Sequence, residues 1–127
     1  MLKKGSKQLL AEANEVIETV PVEEAIRLAG DPNVVLVDIR ETVKRQKSGT
    51  AKGAVHVPRG FLEFHADPES PMHIPALGNG KRILLFCASG GRSALAAKTL
   101  KEMGLPNVAH IKGGFNAWKQ AGGPTEE

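Results

Sequence analysis

The sequence predicts an α/β domain of three layers, with a mostly parallel central sheet flanked by helices. Three observations carry this. Two continuous apolar runs, "NVVLVDIR" at 33–40 and "KRILLFCAS" at 81–89, end in polar or charged residues, as strands buried on both faces do. Helix-like segments separate the strand-like ones, the alternation that builds parallel sheets. Proline and glycine clusters fall between the segments, where turns belong.

Taken in order, residues 1–15 are polar and alanine-rich and read as an N-terminal extension, helical or loose. The domain itself is expected over 16–124. "EVIETV" at 15–20 is short and β-rich. "PVEEAIRLAG" at 21–30 has a proline at a helix start, acids in the first turn and a glycine stop. After the 33–40 strand, "ETVKRQKSG" reads as a short polar helix. "GAVHVPRG" at 53–60 is a strand broken by Pro58, and "FLEFHA" at 61–66 is one or two helical turns. A loop rich in proline and glycine fills 67–80. Behind the 81–89 strand, a helix is expected over 93–103, with Ala96, Leu100 and Met103 on one face and Lys98, Lys101 and Glu102 on another. "NVAHIKGG" is the last strand, "FNAWKQAGG" a final short helix, and 125–127 a tail.

The chain has 127 residues, a formal net charge of +3 and one cysteine. That length suits one domain with its own core. The weak positive charge, without aromatics among the lysines, does not point to nucleic acid. A lone cysteine excludes an internal disulfide, a CxxC pair and a cysteine-rich zinc site, and it suits a reducing compartment. The first apolar run stops at Leu10–Ala11, too short for a signal-peptide core, and no stretch approaches a membrane span. The expectation is a cytoplasmic protein without a membrane partner.

Ligands in open parallel sheets bind beyond the carboxyl ends of the strands. Cys87 sits at that end of the most apolar strand, in "FCASGGRSA". Gly90 and Gly91 permit a loop whose N–H groups turn toward one point. The helix start near Ser93 adds its positive end, Arg92 adds a charge, and Ser93 can cap the helix or bond into the loop. Such surroundings favour a thiolate. A free cysteine is often only a small buried hydrophobe, but glycines, arginine and serine before a helix are an odd setting for inert packing. A phosphate-binding P-loop fits poorly, since "GGRS" lacks its lysine and wider glycine spacing.

"CASGGRS" resembles the active-site loop of the rhodanese-like sulfurtransferases, in their single-domain form. "LVDIRE" at 36–41, "GAVHVPRG" at 53–60 and "GGFNAWKQAG" at 113–122 resemble three further motifs of that family, in the family's order, from about Val16 to Pro124. The resemblance implies a rhodanese-like fold and a catalytic Cys87 whose thiolate takes a sulfur from a donor such as thiosulfate. The resulting persulfide passes it to cyanide, a small thiol or a protein thiol. The N–H groups of Ala88, Ser89, Gly90, Gly91, Arg92 and Ser93 would hold the persulfide anion. No metal or organic cofactor is implied. Asp38 would organise the site through an arginine, with Arg40 beside it; a surface pair at a strand end is the alternative. Arg59, by its place after Pro58, either faces the same mouth or is a solvated turn arginine. With no second cysteine, the acceptor must come from outside.

"GTAKGA" at 49–54 departs from the resemblance, standing where the family usually carries histidine, isoleucine and proline, and implies a looser loop there. The histidines show no ligand spacing. His56 and His110 read as satisfied strand residues, His65 and His73 as surface, and Trp118 as core. Three other functions compete. Phosphatases and arsenate reductases on related folds use a similar loop, but with one residue more between cysteine and arginine than the four found here. A regulatory binding module would usually lack the cysteine. A persulfide carrier would have the same loop.

Overall fold

A computed structural model describes all 127 residues. Five parallel strands form the central sheet: β1 (Glu18–Val20), β2 (Val34–Asp38), β4 (Val55–His56), β5 (Arg82–Phe86) and β6 (Val108–Ile111). Their order is β1-β6-β5-β2-β4. The two apolar runs lie at the centre, paired from Val34 against Arg82 to Asp38 against Phe86.

Alternation along β5 divides the core. Ile83, Leu85 and Cys87 face one side, where they meet Val37, Leu62 and Leu100. Leu84 and Phe86 face the other, against Ala109, Phe115 and Trp118. The first face is covered by α4 (Leu62–Ala66) and α5 (Gly91–Glu102), with α1 (Ser6–Val16) lying against α5 and its Ala13 fully buried. The second is covered by α2 (Val22–Leu28) and α6 (Gly114–Gln120). The polar helix α3 (Thr42–Ser48) has no buried residue. No helix is long and apolar enough to cross a membrane.

Five local expectations are corrected. Helix α5 begins at Gly91, two residues before Ser93, because Gly90 turns into the left-handed region at φ 111° and starts it. It also ends before Met103, which is exposed rather than on the buried face. His65 and His73 are half-buried, each Nδ1 bonded to a backbone carbonyl, of Met72 and His65 respectively. The segment 49–54 is not loose. Thr50–Ala51 form β3, buried, and pair antiparallel with β7 (Thr125–Glu126), so the last residues form a short strand rather than a free tail.

Candidate active site

Cys87 is the first residue past β5, and the residue is 1% exposed. Its sulfur accepts the N–H of Gly90 at 3.1 Å and that of Ser93 at 3.4 Å. The Ser93 hydroxyl lies 3.5 Å from the same sulfur. Burial works against ionisation of the thiol. The Ser93 hydroxyl and amide, with the Gly90 and Ser89 amides, outweigh it and hold the thiol below its ordinary value. Short-range hydrogen bonds therefore make the thiolate accessible here.

The left-handed backbone at Gly90 turns the loop back over the sulfur. Behind the loop, α6 fixes its carbonyls. Phe115 N–H bonds the Cys87 carbonyl at 2.7 Å, and Asn116 N–H bonds that of Ala88 at 3.0 Å. Gly114, at φ 60°, lies so close that a side chain would strike both carbonyls. The glycines of "GGFNAW" thus let a helix start dock directly on the cysteine turn.

Ser93 lies within α5 and does not cap it. Its hydroxyl contacts the Gly90 carbonyl at 3.2 Å and His110 Nδ1 at 3.0 Å, and His110 Nε2 lies 3.0 Å from Thr19 Oγ1. Burial holds the His110 imidazole below its ordinary value, favouring the neutral ring. His110 is thus satisfied, as expected of a strand histidine, but its partner is the serine against Cys87. The signal for this was a polar residue in a buried strand, which must find a partner. Thr19 carried no signal.

Arg92 does not charge the cysteine pocket. Its Nη1 donates to both carboxylate oxygens of Glu41, at 2.8 and 2.9 Å, on the exposed side of the loop. Arg59 pairs with Glu63 at 2.8 Å, one turn along, rather than with the cysteine loop. Asp38 does engage an arginine, its neighbour Arg40. Arg40 Nη2 lies 2.8 Å from Asp38 Oδ2, and both side chains are buried. Thr50 Oγ1 donates to the same carboxylate at 2.9 Å, and Arg40 also bonds the Gly49 carbonyl and Ser48. Burial opposes the Asp38 charge, but the bonds from Arg40 and Thr50 prevail and keep its carboxyl below the usual range.

The Arg40 guanidinium lies 4.4 Å from the Phe115 ring centre. Phe115 is the residue whose amide holds the Cys87 carbonyl, so the buried ion pair touches the cysteine turn through one side chain. His56 adds a bond to the Arg40 carbonyl at 2.8 Å.

The family model described as "Rhodanese-like domain" matches residues 21–121. The chain belongs to the rhodanese-like family. Among curated proteins it is 32% identical over 120 residues to the thiosulfate:glutathione sulfurtransferase of Saccharomyces cerevisiae, covering 84% of this chain and 81% of that one. It is 33% identical over 123 residues to thiosulfate sulfurtransferase 16, chloroplastic, of Arabidopsis thaliana, covering 92% and 99%. A solved structure from Rhodopseudomonas palustris CGA009, described as a protein of unknown function and possible tyrosine phosphatase, is 47% identical with a TM-score of 0.95, covering 99% of this chain and 97% of that one. The rhodanese-like match and the sulfurtransferase relatives support sulfur transfer as the class of chemistry.

Proposed function

We propose that the protein moves a sulfane sulfur from a donor such as thiosulfate to a thiophilic acceptor, through a persulfide on Cys87. The observation that carries this reading is the convergence of the Gly90 and Ser93 N–H groups and the Ser93 hydroxyl on one buried sulfur. The Cys87 thiolate attacks the outer sulfur of thiosulfate. A bond forms between the two sulfurs, the sulfur–sulfur bond of the donor breaks, and sulfite leaves with its electron pair. The charge then lies on the outer sulfur of the persulfide, where the N–H groups of the loop would hold it. Cyanide or a thiolate then attacks the outer sulfur, the persulfide bond breaks, and the Cys87 thiolate returns. A small thiol such as glutathione is the acceptor most in keeping with the yeast relative's name. Carriage of sulfur to a protein thiol would use the same two steps.

Phosphatase activity is the second reading, prompted by the description of the Rhodopseudomonas structure. The loop argues against it. Its donors meet at one atom, whereas a phosphoryl group spreads charge over three oxygens. Arg92, which would have to clamp those oxygens, is bonded to Glu41.

Intact-mass measurement after thiosulfate treatment tests the proposal. The protein should gain one sulfur atom and lose it to cyanide as thiocyanate, and Cys87→Ser should do neither. Thiocyanate formation by Cys87→Ser at the wild-type rate, or hydrolysis of aryl phosphates faster than wild-type thiocyanate formation, would overturn it.

A further inference from the structure

Four side chains, from the turn after β5, from α5, from β6 and from β1, form one hydrogen-bonded chain. It runs from the Cys87 sulfur to Ser93 Oγ (3.5 Å), on to His110 Nδ1 (3.0 Å), and from His110 Nε2 to Thr19 Oγ1 (3.0 Å). The first three residues are buried, and Thr19 is exposed on the edge strand β1, directly opposite His110 in the sheet register. Thr19 and His110 open on a cleft of about 390 Å³ between α1 and the cysteine loop.

We propose that His110 is a positioning residue for Cys87, exchanging one tautomer for the other as the thiol ionises and thereby turning the Ser93 hydroxyl from acceptor to donor. With the thiol protonated, S–H donates to Ser93 Oγ, Ser93 O–H donates to Nδ1, and Nε2–H donates to Thr19 Oγ1. On ionisation each proton moves one place. Ser93 Oγ takes the thiol proton and donates it back toward the sulfur, while its former proton goes to Nδ1. The Nε2 proton goes to Thr19, which releases its own to water in the cleft. One proton leaves, the imidazole is neutral before and after, and no bond between heavy atoms changes. The Gly90 carbonyl that the Ser93 hydroxyl leaves still accepts the Ala94 N–H.

The surroundings suit a neutral switch. Burial disfavours the imidazolium. Ser93 from α5 and Thr19 from β1 are uncharged at neutral pH, as are Leu10 and Asn14 on the cleft wall from α1. Lys112, past the end of β6, is the charged residue lining the cleft. Cys87 is the titratable group joined to the chain of bonds.

The role rests on the sulfur-transfer reading for its purpose, and its test does not. Nitrogen-15 spectra of the histidine rings should show His110 passing from the Nε2–H to the Nδ1–H form as the thiol titrates, with no such change in Cys87→Ser. His110→Phe, which removes the ring N–H that turns the Ser93 hydroxyl toward the sulfur, should raise the midpoint of iodoacetamide alkylation by about half to one pH unit, with the melting temperature showing that the fold survives. A His110 that keeps one tautomer throughout, or an alkylation midpoint untouched by His110→Phe in a folded protein, would overturn the proposal. If instead the tautomer switches but no donor loads sulfur onto Cys87, the sulfur-transfer reading fails and the positioning role stands.

Discussion

The Arg92 guanidinium is held by Glu41, on the loop after β2, with its Nη1 2.8 Å from one carboxylate oxygen and 2.9 Å from the other. The same bonds lower the Glu41 carboxyl below its ordinary value, though its own backbone contributes more. The only cation of the cysteine loop is thus paired with a carboxylate at the surface. Arg92→Ala should therefore slow thiosulfate loading by about threefold or less, a surface-charge effect. Glu41→Gln frees the guanidinium to attract the donor, so loading should quicken, more at low than at high salt. Stopped-flow loading rates at two ionic strengths check both. A loss on the order of a hundredfold in Arg92→Ala would mean that the arginine leaves Glu41 to bind the donor.

Ser93 brings both a hydroxyl and an amide to the sulfur. Ser93→Ala removes the hydroxyl and leaves burial less opposed. The thiol should then ionise about one to two pH units higher, the worth of a charge-assisted hydrogen bond. The alkylation profile reads this directly, because Cys87 is the only thiol.

Asp38 carries a stability prediction. Its folded carboxyl is held below the ordinary range, so its contribution is complete above about pH 4 and is lost as pH falls through the depressed folded value. The stability difference between wild type and Asp38→Asn should shrink below that pH. Thr50→Val, which removes one of the bonds to the carboxylate, should cost about 1.5–3 kcal/mol at neutral pH. Urea unfolding across pH gives both, and a difference that stays constant down to pH 2 would remove Asp38 as the cause.

Much of this arrangement is legible in the sequence. The runs 33–40 and 81–89 became β2 and β5 because unbroken apolar strands have few other places to go. Cys87 could be singled out because strand, thiol, glycines and helix follow one another within a few residues. What stayed hidden depends on partners distant in sequence. Glu41 is 51 positions from Arg92, and only the adjacency of β2 and β5 brings them together. Thr19 and His110 meet because β6 pairs with β1, an order that nothing in either strand specifies. Thr50, in a segment that read as a departure, supplies a bond to the buried carboxylate because β3 lies where it can reach Asp38.

Gly114 tests how the cysteine turn is held. At φ 60° a side chain costs about 1–2 kcal/mol for the left-handed backbone alone. The added carbon would also lie 2.7 Å from the Ala88 carbonyl oxygen, and closer still to that of Cys87. Gly114→Ala should push α6 off the turn, lower the melting temperature and reduce sulfur loading together. Full loading in a destabilised protein would show that the turn keeps its shape without α6.

Loop length separates the two chemistries. Four residues lie between Cys87 and Arg92, and Gly90 and Ser93 point their N–H groups at a single sulfur at 3.1 and 3.4 Å. One glycine inserted between Ser89 and Gly90 adds length without a side chain, so the ring should widen and both contacts lengthen. Two charge-assisted bonds weaken at once, and thiocyanate formation should fall by about a hundredfold or more. The wider ring has room for a tetrahedral oxyanion, so phosphate or arsenate should protect Cys87 of the insertion variant from alkylation and leave the wild type unprotected. Turnover of aryl phosphates is not expected even then, since no acid in the loop is placed to protonate a leaving group. Unchanged thiocyanate formation in the insertion variant would show that ring size does not select for sulfur.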